Sequence, residues 1–313
     1  MSKTKVFIDG SSGTAGLRIR ERLEARDDIG IISIPYELRH DLEAKSQAIN
    51  SADVAFLCLP DEGSIEAVGL VKSDSVAVID TSTAHRTAPG WEYGFPELAG
   101  RRERIAGSKR IANPGCHASG FVVLTEPLVK AGIIPRTMDL TCFSLTGYSG
   151  GGKKMIAQYE AEERDELLDA PRIYGLSQQH KHLKEMTLIP GLETPPVFCP
   201  IVADYYCGME TTVSLFRKDI NGSAEEIRDI YRALYSGPVV HFEESADEGG
   251  LAAANKLAGR DDMEIAVYGN EERILLVSRF DNLGKGASGA AIQNMNIIIG
   301  ADETEGLVLG GKQ

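Results

Sequence analysis

Cysteine is scarce in this 313-residue chain, and its five copies, Cys58, Cys116, Cys142, Cys199 and Cys207, are odd in number and never spaced C-x-x-C. Neither a disulfide framework nor a zinc site is indicated, and a reducing cytosol is the natural compartment. Positive charge is in deficit too: 33 Lys+Arg against 46 Asp+Glu leave a net −13. That balance argues against a non-specific grip on nucleic acid or on an anionic membrane. No apolar run approaches the ~18 residues of a membrane span, and the opening run Val6-Phe7-Ile8 is too short for a signal peptide. Internal repeats and low-complexity tracts are also missing. The expected setting is cytoplasmic, with neither membrane nor nucleic acid as partner. The 42% hydrophobic and 25% charged residues are ordinary globular values, and the length suggests about two domains.

What is present begins with a strand, a glycine turn and a helix. Lys5-Val6-Phe7-Ile8 reads as a buried strand, Gly10-Ser11-Ser12-Gly13-Thr14-Ala15-Gly16 follows at once, and residues 17–23 carry a helical pattern. The glycine spacing is G-x-x-G-x-x-G rather than G-x-G-x-x-G. The physical demands are still those of a dinucleotide pyrophosphate: a tight turn, close backbone approach and a helix N-terminus facing the charge. Gly10, Ser12, Gly13, Thr14, Ala15 and Gly16 are the candidate cofactor loop, with an ordinary glycine turn as the alternative. The second strand, residues 29–34, ends in Ser33-Ile34-Pro35 without the carboxylate that meets an NAD ribose, and Arg39 lies just beyond. That favours a 2′-phosphate and hence NADP. A strand over 54–59, the turn Pro60-Asp61-Glu62-Gly63, a helix over 65–71 and a strand over 76–80 continue the alternation. The pattern predicts a doubly wound parallel sheet, with Cys58 inside the third strand as a core residue.

Asn113-Pro114-Gly115-Cys116-His117 carries the chemistry. Cys116 follows a short strand, Arg110-Ile111-Ala112, and opens an apolar helical pattern. Backbone N–H groups at a helix start favour negative charge, so a thiolate is stabilised there and an adjacent anion is held. The plain alternative is a small buried residue. Within Asp80-Thr81-Ser82-Thr83-Ala84-His85-Arg86, the Arg86 guanidinium can clamp a carboxylate or phosphate, or it is a surface arginine paired with a glutamate. Gly147-Tyr148-Ser149-Gly150-Gly151-Gly152-Lys153-Lys154 follows a strand over 138–145 and nearly matches a P-loop, but Lys154 stands where Ser or Thr should ligate magnesium. Gly150 and Gly151 suit a phosphate or the approach of a nicotinamide ring instead. His180-Lys181-His182, with Glu185 beyond, lacks the ligand set of a metal site, so no metal is expected. An imidazole titrating near neutrality suits acid–base work, and packing is the alternative role for each histidine.

Five ordered segments resemble the shorter form of the N-acetyl-gamma-glutamyl-phosphate reductase family, and the resemblance covers essentially the whole chain. They are the Gly10 to Gly16 turn, Tyr93-Gly94-Phe95-Pro96-Glu97-Leu98, Asn113-Pro114-Gly115-Cys116, His180-Lys181-His182 with Glu185, and Asp281-Asn282-Leu283-Gly284-Lys285-Gly286-Ala287-Ser288-Gly289-Ala290-Ala291-Ile292-Gln293-Asn294-Met295-Asn296. The sister aspartate-semialdehyde dehydrogenases usually read N-P-N-C, so Gly115 argues against that activity.

The resemblance implies NADPH-dependent reductive dephosphorylation of N-acetylglutamyl 5-phosphate to the 5-semialdehyde in arginine biosynthesis, through a Cys116 thioester. It implies that His180 is the acid/base residue, positioned by His182 and Tyr174. Ser82 and Arg86 fall by a looser match in a substrate-phosphate segment, Asn113 is expected to add a hydrogen bond to that phosphate, and Ser149, Tyr174 and His182 join them as substrate contacts. Pro60, Gly150, Gly151 and Asn282 join Arg39 and the glycine turn as cofactor contacts. The implied architecture is α/β: a Rossmann-like dinucleotide-binding domain over 1–116 and 286–313, and a catalytic α+β domain over 117–285 with a mixed, mostly antiparallel sheet. A homodimer or homotetramer is expected. Two other readings are a semialdehyde dehydrogenase for an aspartyl or aminoadipyl phosphate, and a non-catalytic NADP-binding regulator whose Cys116 senses oxidants.

Overall fold

Alternate residues along the N-terminal strands are buried on opposite sides, which is why those strands read as unbroken apolar runs. In the computed structural model, which describes residues 3–310, β1 (Thr4–Asp9), β2 (Ile29–Ile32), β3 (Val54–Leu57), β4 (Ala77–Asp80), β5 (Glu92–Tyr93) and β6 (Arg110–Ala112) form a parallel sheet ordered β2-β1-β3-β4-β6-β5. Helices α1 (Thr14–Glu24), α2 (Leu42–Ser51), α3 (Asp61–Gly69) and α4 (Arg101–Gly107) alternate with the strands. On one face Val6, Ile8, Val54, Phe56 and Ile79 pack with Ile19 and Leu23 of α1, Ile105 of α4, and Ile292 and Met295 of the C-terminal helix Gly289–Ile299. On the other face Phe7, Ala55, Leu57 and Val78 pack with Ala48, Ile49 and Ala67. The order runs outward from β1 in both directions, so the loops leaving β1 and β3 form the switch point where such sheets bind ligands.

Element limits differ from expectation at several points: the strand read over 29–34 stops at Ile32, and the helix read over 65–71 is α3, which takes in Asp61, Glu62 and Gly63 of the expected turn. The strand read over 54–59 stops at Leu57, because Pro60 turns the chain into α3. Cys58 therefore lies just past the strand rather than inside it, although burial still pushes its thiol up to about 12. The strand read over 138–145 begins at Thr141, because Met138 is used in a turn whose N–H donates to the Pro135 carbonyl at 2.9 Å.

The first compact unit runs to Pro96 and resumes over Gly100–Gly115 and Ala287–Leu307; the second takes Glu97–Ala99, Cys116–Gly286 and the residues from Val308 on. The tail from Val308 was expected with the first unit. It groups with the second because the Asp261 N–H donates to the Val308 carbonyl at 2.7 Å and the Val308 N–H donates to the Asp261 carboxylate at 2.8 Å. Residues 1–2 and 311–313, included in the expected boundaries, lie outside the described residues.

The second unit has α5 (Cys116–Lys130), α6 (Gly152–Tyr159), α7 (Leu183–Leu188) and α8 (Ala224–Leu234) with β7 (Thr141–Gly147), β8 (Arg172–Ile173), β9 (Val197–Ala203), β10 (Met209–Phe216), β11 (Val240–Phe242), β12 (Met263–Gly269) and β13 (Arg273–Phe280). The sheet order is β11-β12-β13-β10-β7-β9-β8, parallel only at β11/β12 and β7/β9, so the sheet is mixed and mostly antiparallel. Helix α5 packs on β10, β13 and β7 and against α7 and α8, which explains its apolar residues all round. The capping box of Ser223 and Glu226 starts α8. On the sheet face away from α5, Phe143, Val197, Phe216 and Leu275 are exposed. Among the described residues no helix is long and apolar enough to cross a membrane.

Candidate active site

In the first unit the turn after β1 is built for glycine. Gly10 has φ +82°, and a Cβ there would lie 2.3 Å from the Cys58 carbonyl oxygen; a Cβ on Gly16 would lie 2.4 Å from the Gly10 carbonyl oxygen. Gly13 caps α1 without a side-chain bond, and no acidic residue occupies the first turn. The N–H groups of Thr14, Ala15 and Gly16 thus meet no capping side chain, and their positive ends favour an anion. A dinucleotide pyrophosphate fits this turn. Ser12 lies within it, and Pro60 stands two residues past the Cys58 carbonyl, capping α3. Arg39 is exposed beyond β2, its guanidinium 3.8 Å over the Tyr36 ring and its Nη1 donating to the Tyr36 carbonyl at 2.8 Å.

At the end of β4, buried Asp80 accepts from the Ser82 N–H at 2.9 Å and the Ser82 hydroxyl at 2.7 Å, and its Oδ2 lies 2.6 Å from His85 Nδ1. His85 stacks on Trp91 at 4.1 Å. Arg86 is buried rather than a surface arginine: Nε donates to the Asn113 carbonyl and Nη2 to the Thr81 carbonyl, each at 3.0 Å. The Asn113 amide donates to the Ala287 carbonyl at 3.0 Å and accepts from Asn294 Nδ2 at 3.3 Å. Its side chain therefore fastens the C-terminal helix, and the Ser82 hydroxyl proton is used by Asp80.

In the second unit Cys116 is the first residue of α5 and is partly exposed. A Cβ on Gly286 would come within 3.0 Å of Cys116 Cβ, in the π-turn Gly284–Ser288. Around this point the rings of His117, Tyr174, His180, His182 and Phe198 gather with centroids 4.8 to 6.1 Å apart. His180 Nδ1 accepts the His182 N–H at 3.2 Å, so the neutral ring carries its proton on Nε2. Burial, and secondarily the Lys181 charge, hold His180 below the usual histidine range. Tyr174 is raised by burial and then by the charge of Cys116, so its hydroxyl stays protonated.

His117, passed over by sequence reasoning as a catalytic partner, is 3% exposed, with Nδ1 2.7 Å from Ser144 Oγ and Nε2 2.7 Å from the Tyr174 hydroxyl. Burial depresses it to about 3. His182 is buried as the cap of α7. Ser149, Gly150 and Gly151 form the turn after β7, where Asn282 donates to Ser149 Oγ at 3.0 Å and accepts the Gly208 N–H at 2.9 Å. These residues belong to the same unit as Cys116 rather than to that of the glycine turn. The buried pair Lys285–Glu97, at 2.8 and 2.9 Å, was also missed. Among the described residues no group of three or more His, Cys, Asp or Glu could hold a metal ion.

Residues 5–108 match the family described as semialdehyde dehydrogenase, NAD binding domain, and residues 116–282 the semialdehyde dehydrogenase dimerisation domain. N-acetyl-gamma-glutamyl-phosphate reductase 2 of Nostoc sp. is 44% identical over 322 residues, covering 98% of this chain and 100% of the relative. The Brucella ovis N-acetyl-gamma-glutamyl-phosphate reductase is 44% identical over 309 residues, covering 95% and 99%. Among solved structures, aspartate semialdehyde dehydrogenase II of Vibrio cholerae has a TM-score of 0.71 at 17% identity, covering 96% of this chain and 99% of its own, a likeness of fold alone.

Proposed function

The chain belongs to the N-acetyl-gamma-glutamyl-phosphate reductase family, and we propose that its reaction, the NAD(P)H-dependent reductive dephosphorylation of N-acetylglutamyl 5-phosphate to the 5-semialdehyde in arginine biosynthesis, runs through a thioester on Cys116. The observation that carries the residue assignment is the position of Cys116 at the start of α5 in the unit that also holds His180 and Tyr174. The helix N-terminus favours the thiolate. Its Sγ attacks the acyl carbon, the bond from that carbon to the phosphate oxygen breaks, and phosphate leaves with the electron pair. When bound, the nicotinamide supplies the hydride that reduces the thioester carbon. His180, carrying its proton on Nε2, donates it to the oxygen that becomes negative. His180 then takes that proton back from the thiohemiacetal oxygen as the C–S electron pair returns to Sγ, which releases the aldehyde and the thiolate. His182 orients His180 through its backbone N–H.

Arg86 is assigned to the substrate phosphate, and Arg39, with no acid at the end of β2, to an NADP 2′-phosphate. The exposed apolar face carrying Phe143, Val197 and Leu275 is assigned to a homodimer, working in the cytoplasm. The substrate assignment is tested in the phosphate-dependent oxidative direction. N-acetylglutamate 5-semialdehyde should far exceed aspartate semialdehyde in kcat/KM, and a preference for the aspartyl substrate overturns it.

A further inference from the structure

We infer that His117, the residue after the nucleophile, is a positioning residue that holds the Tyr174 oxygen through Nε2 and so turns the Tyr174 proton toward Cys116. The inference rests on the reading of Cys116 as the thioester-forming residue. Three hydrogen bonds run in line: Thr211 Oγ1 to Ser144 Oγ at 3.0 Å, Ser144 Oγ to His117 Nδ1 at 2.7 Å, and His117 Nε2 to the Tyr174 hydroxyl at 2.7 Å. Thr211 and Ser144 are partners in the β10/β7 ladder, and both are fully buried on the sheet face toward α5. Two buried hydroxyls in an apolar layer are costly unless paired, and His117 connects them to the ring cluster.

The proton count allows one direction or its reverse along this line. A neutral imidazole has one N–H, and His117 stays neutral because burial, reinforced by neighbouring His180, depresses it. With Thr211 donating to Ser144 and Ser144 donating to Nδ1, the His117 proton sits on Nε2 and is donated to the Tyr174 oxygen. Tyr174 keeps its own proton and must give it elsewhere. The charge that acts on Tyr174 is that of Cys116, so a Cys116 thiolate draws the proton and selects this direction over the reverse. The other rings facing His117 are His180, His182 and Phe198.

The test is a double-mutant cycle of His117→Phe and Tyr174→Phe, read as kcat, KM and the pH profile of Cys116 alkylation by iodoacetamide, with the site of labelling confirmed by mass spectrometry. Each single variant should lower kcat roughly 10–100-fold, the range for lost supporting hydrogen bonds around a reactive group, with KM little changed. Each should also move the Cys116 alkylation profile to higher pH. The double variant should be no worse than Tyr174→Phe alone, and His117→Gln, which restores a donor, should recover part of the loss. Additive losses, or an alkylation profile unmoved by His117→Phe, overturn the inference. If His117→Phe does not fold, Ser144→Ala breaks the same line and must give the same non-additivity with Tyr174→Phe. Full activity in Cys116→Ser would instead reject the thioester reading, whatever the cycle shows.

Discussion

The Tyr235 hydroxyl donates to the Val123 carbonyl at 2.6 Å, and Val123 is the acceptor that Pro127 leaves without an intrahelical partner. A proline inside a helix removes the N–H that would reach four residues back; here α8 lies beside α5 and the residue at its C-terminal end supplies a replacement. Tyr231, one turn earlier, donates to Leu124, whose own i+4 neighbour Leu128 retains its N–H. Tyr235→Phe should therefore destabilise the fold by about 1–3 kcal/mol, the cost of a buried carbonyl left unpaired, and Tyr231→Phe by less. Urea denaturation checks both, with kcat unchanged in each. Equal losses would mean that the freed carbonyl is not what Tyr235 serves.

His117 makes the fold acid-sensitive. In the unfolded chain it titrates near 6.5, and in the fold at about 3, so between those values the unfolded chain binds more protons. Its contribution is fully present above about pH 6.5 and declines as pH falls, by up to about 1.4 kcal/mol per unit, until the folded group also titrates. His180, also depressed, acts in the same direction. The urea midpoint of the unmodified protein should drop more steeply with acid than that of His117→Phe. Parallel curves would show that His117 titrates alike in both states.

The parallel sheet was legible because burial on both faces leaves continuous runs such as Val54-Ala55-Phe56-Leu57. The place of Cys116 at the start of α5 was legible because it follows a short strand and opens an apolar helical pattern. What the sequence hid are residues whose role depends on partners far along the chain. Asn113 was read as a phosphate ligand, yet its amide is bound to Ala287 and Asn294, 174 and 181 residues away. Arg86 could be a clamp or a surface charge until its burial excluded the second. The partners of His117 were hidden too, because nothing in a linear pattern places Ser144 and Tyr174 on its two nitrogens.

Gly286 controls how closely the π-turn approaches Cys116. A methyl group there would lie 3.0 Å from Cys116 Cβ, 3.1 Å from the Asp281 carbonyl oxygen and 3.3 Å from the Phe280 ring. The ring and the backbone are fixed by packing, so the thiol-bearing residue must yield. Gly286→Ala should lower kcat by roughly tenfold, since relieving the contact moves Cys116 by less than the 1 Å that costs about 100-fold, while NADPH affinity measured by fluorescence titration stays within a factor of about two. Unchanged kcat would show that Cys116 tolerates the displacement.

Arg39 offers a separable test of cofactor preference. Its side chain is exposed and rests on the Tyr36 ring, held there by a hydrogen bond to the Tyr36 carbonyl. Replacing it should cost little stability, because exposed contacts of this kind contribute modestly. A guanidinium that meets a 2′-phosphate makes charge-assisted hydrogen bonds that NADH cannot offer. Arg39→Ala should therefore raise the KM for NADPH about tenfold, corresponding to about 1.4 kcal/mol, and leave the KM for NADH as it was. Equal losses with both cofactors would mean that Arg39 shapes the loop after β2 rather than reading the phosphate. No loss with either would place the 2′-phosphate against other residues.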